Sequence, residues 1–276
     1  MSNTQRLENL LHYTRSEASL SASRWQLSPA KKPRIAVCAT PKSGSTWAAN
    51  VLSKGLGVRA RRLCYTYSSN EHELYVPALL DTVDIGFVSQ LHMRATPHNV
   101  TLMQDFNIAA VVLTRNIFDA VASFARDLRV KLNMDSANPG QYGYSFVWLT
   151  EDMTAWSEEQ LIDYSIDYYV PWYMNFLRSW DAYRLILKAF TLRYEVLKKA
   201  PNQQFQSIYT HFYRGPVVDF AALSKQRFGD NAAMSQTASE IGAGYAQLDA
   251  GRKARLSNAF RPSDSEWVRS HLEVRV

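Results

Sequence analysis

Lys42, Ser43, Gly44, Ser45 and Thr46 stand consecutively in "RIAVCATPKSGSTW", directly after a short apolar run. Their types suit one chemistry, the holding of an anion. The ammonium brings a full positive charge and three hydroxyls bring donors. The glycine lets backbone N–H groups come close to a ligand. A helix opening behind these residues would add roughly half a positive charge and more N–H donors at the same point. The order is not that of a G-x-x-x-x-G-K-[ST] phosphate loop, because Lys42 precedes the glycine, and this disfavours an ordinary ATP or GTP site. A second candidate is His92, the last residue of "IGFVSQLH". An imidazole has an unperturbed pKa of about 6.5, so it can exchange a proton near working pH.

These residues need elements to position them. "RIAVCAT" (34–40), "IGFVSQLH" (85–92) and "IAAVVLTR" (108–115) read as strands buried on both faces, and "AFTLRY" (189–194) as a shorter one. Helical spacing follows the first strand in "GSTWAANVLSKGLG" (44–57), with glycines to stop it. Thr96 and Pro97 form an N-cap and first helical position, and residues 117–132 form an amphipathic helix. Residues 133–156, rich in Gly, Pro and aromatics, predict a lid or binding loop carrying Tyr142, Tyr144, Phe146, Trp148 and Trp156. A long helix over 157–188 and a mostly helical remainder complete the chain. Strands alternating with helices predict an α/β fold, a single domain over residues 1–276 with a central parallel β-sheet flanked by helices. In such sheets ligands bind outside the carboxyl ends of the strands. That points to "PKSGSTW", "HMRAT", "RNIFD" and "YEVLK".

At these positions the sequence resembles the sulfotransferases that use 3′-phosphoadenosine 5′-phosphosulfate (PAPS). "TPKSGSTW" is similar to that family's 5′-phosphosulfate loop, and "VVLTRNIFDAVASF" to its 3′-phosphate segment. "LRYEVLKKAP" is similar to a segment whose tyrosine approaches the adenine. The resemblance covers residues 34–201 well and the rest loosely. It implies a P-loop-like domain binding PAPS and releasing 3′-phosphoadenosine 5′-phosphate (PAP), with no metal. Lys42, Ser43, Gly44, Ser45 and Thr46 would grip the 5′-phosphosulfate. Arg115 and Ser123 would hold the 3′-phosphate. Trp47 would stack on the adenine beside Tyr194, the other reading of Trp47 being a core aromatic. "VVDFAALSKQRF" loosely resembles the segment with a second adenine aromatic, which points to Phe220 or, alternatively, to plain packing. Many family members with small hydroxyl acceptors carry a histidine where His92 stands, which implies a general base there. Lys42 would neutralise the leaving phosphate. The family's basic R-K-G-type loop over the 3′-phosphate is missing. "ASEIGAGYAQL" offers only backbone N–H groups at Gly242 and Gly244, with Lys225 and Arg227 as other substitutes.

Bulk properties bound the remaining classes. The chain has 276 residues, 46% hydrophobic and 20% charged, ample for a buried core. A net charge of +6 and a pI near 9.2 favour anionic ligands, but basic residues are scattered apart from "RARR" and "GRKAR". No helix-turn-helix, zinc-finger or single-strand-binding signature accompanies them, so nucleic acid is not the expected partner. Cys38 and Cys64 lack metal or redox spacing, and no metal-ligand cluster is visible. No run reaches the roughly 18 apolar residues of a membrane span, and residues 1–23 read as an amphipathic helix rather than a secretory signal, so the expected location is cytoplasmic. That helix could pack against a second subunit in a homodimer. His72, between two glutamates, is a candidate contact for the acceptor, a small molecule or glycan. His98 reads as a helix-surface and His211 as a packing histidine. The competing readings are a P-loop kinase-like phosphotransferase and a non-catalytic nucleotide- or nucleic-acid-binding protein.

Overall fold

The computed structural model describes residues 33–65, 71–137, 151–215, 217–225 and 240–274. The N-terminal amphipathic segment, most of the anticipated lid with Tyr142, Tyr144, Phe146 and Trp148, and Arg227 lie outside the described residues.

Five strands pair side by side, all parallel: β1 (Arg34–Ala39), β2 (Arg59–Ala60), β3 (Phe87–Leu91), β4 (Ala109–Thr114) and β5 (Phe190–Arg193). Their order across the sheet is β2-β3-β1-β4-β5. All six residues of β1 are buried, as expected of a strand covered on both faces. Side chains alternate between the faces with period two. Ala36, Cys38, Ala110 and Val112 enter one core, while Ile35, Val37, Ala39, Val111 and Leu113 enter the other. The register places Val37 beside Val111 and Ala39 beside Leu113, so β1 and β4 end together. Leu113 is fully buried, and its truncation to alanine would cost about 2–5 kcal/mol.

The helices after these two strands leave in opposite directions. Helix α1 (Ser45–Leu56) follows β1 and packs Trp47, Val51 and Leu52 into the second core. After α2 (Val76–Leu80) and α3 (Pro97–Asp105), helix α4 (Ile117–Ala137) follows β4 and packs Ile117, Val121 and Phe124 into the first. The place where the two connections diverge is the usual ligand position in such sheets. The result is one α/β domain with a five-stranded parallel sheet between helical layers.

Local rules account for most boundaries. Thr96 caps α3, accepting from the Asn99 N–H at 3.3 Å, and Pro97 occupies the first turn. Gly57, at φ 57°, ends α1 in a left-handed turn. The long helix expected over 157–188 runs from Glu158 to Tyr183 and carries one wide turn within it. Helix α5 (Glu158–Tyr164) passes through a wide π turn (Ser165–Tyr169) into α6 (Val170–Tyr183). Pro171 has no N–H to give and crowds the preceding turn, so the chain widens there. Helix α4 runs five residues beyond its expected end, to Ala137, into the stretch read as a lid. The edge strand β2 escapes sequence detection because "RA" has no apolar pattern. Past β5 come α7 (Tyr194–Lys199), α8 (Pro201–Phe212), α9 (Phe220–Lys225), α10 (Ala243–Gln247), α11 (Ala250–Asn258) and α12 (Glu266–Arg269). Cys38 and Cys64 are buried and unbridged.

Candidate functional site at the ends of β1 and β4

Beyond β1 the chain keeps one more bond to β4, from the Thr40 N–H to the Leu113 carbonyl at 3.1 Å, and then turns sharply. Two residues of the turn are left-handed, Lys42 at φ 67° and Gly44 at φ 81°. Lysine bears that conformation at a cost, the kind of strain that collects at binding sites. Glycine at 44 is required twice over. Its φ is one that side chains resist, and an added Cβ would stand 3.0 Å from the Tyr194 ring. Ser43 is fully buried and its hydroxyl donates to the Thr40 carbonyl at 2.5 Å, so it shapes the loop from within. Ser45 accepts from the Gln90 amide at 3.1 Å, and Thr46 is exposed at the start of α1.

The loop after β4 meets this turn. Arg115 is almost wholly buried, and its Nη1 donates to the Lys42 carbonyl at 3.1 Å. Its guanidinium lies over the Tyr194 ring, 4.7 Å from the centroid. Lys42, Gly44, Arg115 and Tyr194 therefore occupy one place, where β1, β4 and β5 end. Two tyrosines fasten it from α6 and the turn before it. Tyr169 donates to the Pro41 carbonyl at 3.2 Å, and Tyr173 donates to the Arg115 carbonyl. Burial pushes the Tyr169 phenol far up, so the hydroxyl remains a donor.

The remaining expected residues fall into two groups. Ser123 is buried two turns along α4, on the stripe that continues from Arg115. Gly242 and Gly244 give their N–H groups to Asp119, each at 2.8 Å, and Asp119 lies 3.8 Å from the Arg115 guanidinium. Asn116 joins this knot, bonding both Asp119 and the fully buried Glu195. Trp47 and Phe220 belong to the packed layer beneath the loop. Trp47 is 6% exposed, donates to the Ser224 carbonyl at 3.2 Å and meets Phe205 edge-on. Phe220 is fully buried and stacks on Phe205, 5.9 Å away.

His92 leaves β3 toward the same place. A carbonyl only accepts, so the 2.8 Å contact between Nδ1 and the Ala39 carbonyl assigns the ring proton to Nδ1. Nε2 then presents its lone pair to the Gln90 amide at 3.2 Å. Burial lowers the pKa to about 4; the Ala39 bond opposes this, and the charges of Lys131 and Lys42 add to it. The imidazole is neutral at pH 7. His72 is buried alongside, its Nδ1 accepting from the His92 N–H at 2.8 Å.

Sequence reasoning missed two charged neighbours. Asp127 receives Lys42 Nζ at 2.8 Å and Lys131 Nζ at 2.7 Å. These ammoniums hold its carboxyl below the usual carboxylate range against the opposing effect of burial. A signal was present in the chain: Arg115, Asp119, Ser123, Asp127 and Lys131 recur every four residues through an apolar helix, which forms one polar stripe. Tyr169 and Tyr173 brace the two loops. Among the described residues, no group of three or more His, Cys, Asp or Glu side chains is placed to hold a metal ion. No described helix is long and apolar enough to cross a membrane.

The arrangement can hold an anionic nucleotide: two cations at neighbouring strand ends, a glycine cradle between them, and a neutral imidazole at the rim. Comparison with solved structures finds the same fold in the mouse sulfotransferase SULT7A1 complexed with PAP. That structure has a TM-score of 0.56 and 12% sequence identity over 94% of each chain. No protein-family model and no curated protein sequence matches this chain.

Proposed function

We propose that the chain is a PAPS-dependent sulfotransferase acting on a hydroxyl or amine of a small-molecule or glycan acceptor. The observation that carries this reading is the union of the two strand ends, in which Arg115 bonds the Lys42 backbone and covers Tyr194. It stands within a fold shared with a PAP-bound sulfotransferase. The donor set suits a nucleotide charged at both ends. Lys42 and the N–H groups of the 42–46 turn face one end, and Arg115 with Ser123 the other. Tyr194 supplies aromatic surface beside them, with Trp47 and Phe220 packed beneath as its support, and Gly242 closes the far rim.

PAPS supplies an activated sulfuryl group when bound; the protein's own residues do the rest. His92, neutral and fixed with its proton on Nδ1, takes the acceptor's proton at Nε2 as Gln90 gives way. Lys42 turns its ammonium toward the phosphate oxygen on which charge accumulates. Asp127 stays paired through Lys131 while Lys42 moves. No metal takes part, and the enzyme works in the cytoplasm.

Calorimetry tests the reading. PAP should bind tightly, and ATP·Mg²⁺ and single-stranded DNA weakly. Tight binding of ATP·Mg²⁺ alone would make the chain a phosphotransferase, and DNA alone a nucleic-acid binder. Labelled PAPS offered with a panel of glycans, phenols and aliphatic alcohols then identifies the acceptor.

A further inference from the structure

Among the described residues, the nucleotide site proposed above gathers little charge at its Arg115 end. The loop at Gly242 and Gly244 carries no basic residue, and both its N–H groups already donate to Asp119. A cation is nonetheless close by. Arg126 stands on α4 seven residues beyond Asp119 and three beyond Ser123, so the three share a helix face. Helical side chains lean toward the N-terminus, which carries the Arg126 side chain back over the turn holding Ser123.

Two observations set this arginine apart. Its Nη1 donates to the Gln247 side chain at 3.1 Å, while its Nη2 is buried with no hydrogen-bond partner among the described residues. Gln247 ends α10, the short helix whose start is tied to Asp119. At that start Gly244 touches α4 so closely that a Cβ would come within 2.7 Å of the Phe118 and Asp119 backbone. Helix α10 is thus pinned against α4 at Asp119 and reaches Arg126 from its other end. The like charge of Arg115 adds to burial in depressing the Arg126 pKa, with Asp119 and Glu158 opposing. Two guanidiniums near enough to repel, one with a buried nitrogen unused, form a place that a bound dianion relieves.

We propose that Arg126, held by Gln247, is a binding residue for the nucleotide's 3′-phosphate, acting with Arg115 and Ser123 in place of a basic loop. The proposal rests on the nucleotide reading above. The full chain is titrated calorimetrically with PAP and with adenosine 5′-phosphate, and the ratio of the two Kd values measures what the 3′-phosphate contributes. Arg126→Ala should weaken PAP about 10- to 100-fold, the scale of one lost charge-assisted hydrogen-bonding group, and leave adenosine 5′-phosphate unchanged. Gln247→Ala should give a smaller loss in the same direction. Should Arg126→Ala fail to fold, Arg126→Gln gives the same readout with side-chain length retained. Discrimination by the variants equal to that of the wild type, or equal weakening of both nucleotides, would overturn the role of Arg126 alone. A wild-type protein that does not tell the two nucleotides apart would overturn the nucleotide reading, and this site with it.

Discussion

Lys42 reaches the strand ends already paired, its ammonium 2.8 Å from Asp127. In the proposed reaction that pairing would hold a long, flexible side chain near the developing charge, and Lys131 would keep Asp127 neutralised as Lys42 turns away. Lys42→Ala should lower sulfuryl transfer on the order of 100- to 1000-fold, by analogy with losing one oxyanion donor. Single-turnover assays with saturating PAPS check this, and a near-normal rate would remove Lys42 from the chemistry. His92 carries a different signature. Its pKa is lowered to about 4, so as the proposed base it would be ready above that pH and lost as pH falls through it. The acid limb of kcat/KM should lie near pH 4 rather than near the ordinary histidine value of 6.5. His92→Ala should lose turnover yet bind PAP normally. An acid limb near 6.5, or turnover that survives the substitution, would place the base elsewhere.

At the scale of elements, the turn between β1 and α1 depends on Gly44. A methyl there meets both a left-handed φ of 81° and the Tyr194 ring at 3.0 Å. Tyr194 cannot retreat easily, since Arg115 lies across its ring. Gly44→Ala should cost about 1–3 kcal/mol of stability, the range of one strained backbone site. It should also weaken PAP binding by moving Tyr194 and Arg115 together. Urea denaturation and calorimetry on the same preparation read the two effects, and an unchanged urea midpoint would show that the turn relaxes freely. The knot of Asp119, Asn116 and Glu195 works at this scale too. It ties the start of α4, the start of α7 and the loop before α10 into one unit behind Arg115.

At the scale of the whole molecule, one buried and one half-buried histidine link stability to pH. His271 sits wholly buried behind β4, with Nδ1 donating to the Trp267 and Val268 carbonyls and Nε2 accepting from the Thr114 hydroxyl at 2.8 Å. Burial first, then the charge of Arg193, lowers its pKa to about 4, matching His92. Both histidines are protonated at higher pH in the unfolded chain than in the folded one. Their contribution is therefore complete above about pH 6.5 and is lost as pH falls toward 4. Each proton taken up gives a slope of about 1.4 kcal/mol per pH unit. Urea midpoints measured from pH 7.5 to 4.5 should fall accordingly, and His271→Gln should flatten the fall. A midpoint independent of pH across this window would rule out that the fold holds both rings neutral.

Much of this protein is legible along the chain because its physics is local. The runs at 34–40 and 108–115 are β-branched and apolar for the whole length of a strand, so they could only be buried. The cluster of a lysine, a glycine and three hydroxyls after the first run fixes which donors that turn can offer wherever the chain goes. Thr96 with Pro97 is likewise a cap by its own chemistry. What the chain could not reveal depends on groups far apart in sequence. That Arg115 bonds the Lys42 backbone follows from β1 and β4 lying side by side, a pairing of residues more than seventy apart. Asp127 stands on the four-residue polar stripe, but only folding brings Lys42 against it. Residue types along the chain set which chemistry is available, since charge, donors and backbone freedom belong to single residues. Only the tertiary structure decided which of them meet and which histidines lose their protons, because proximity and burial are properties of the folded whole.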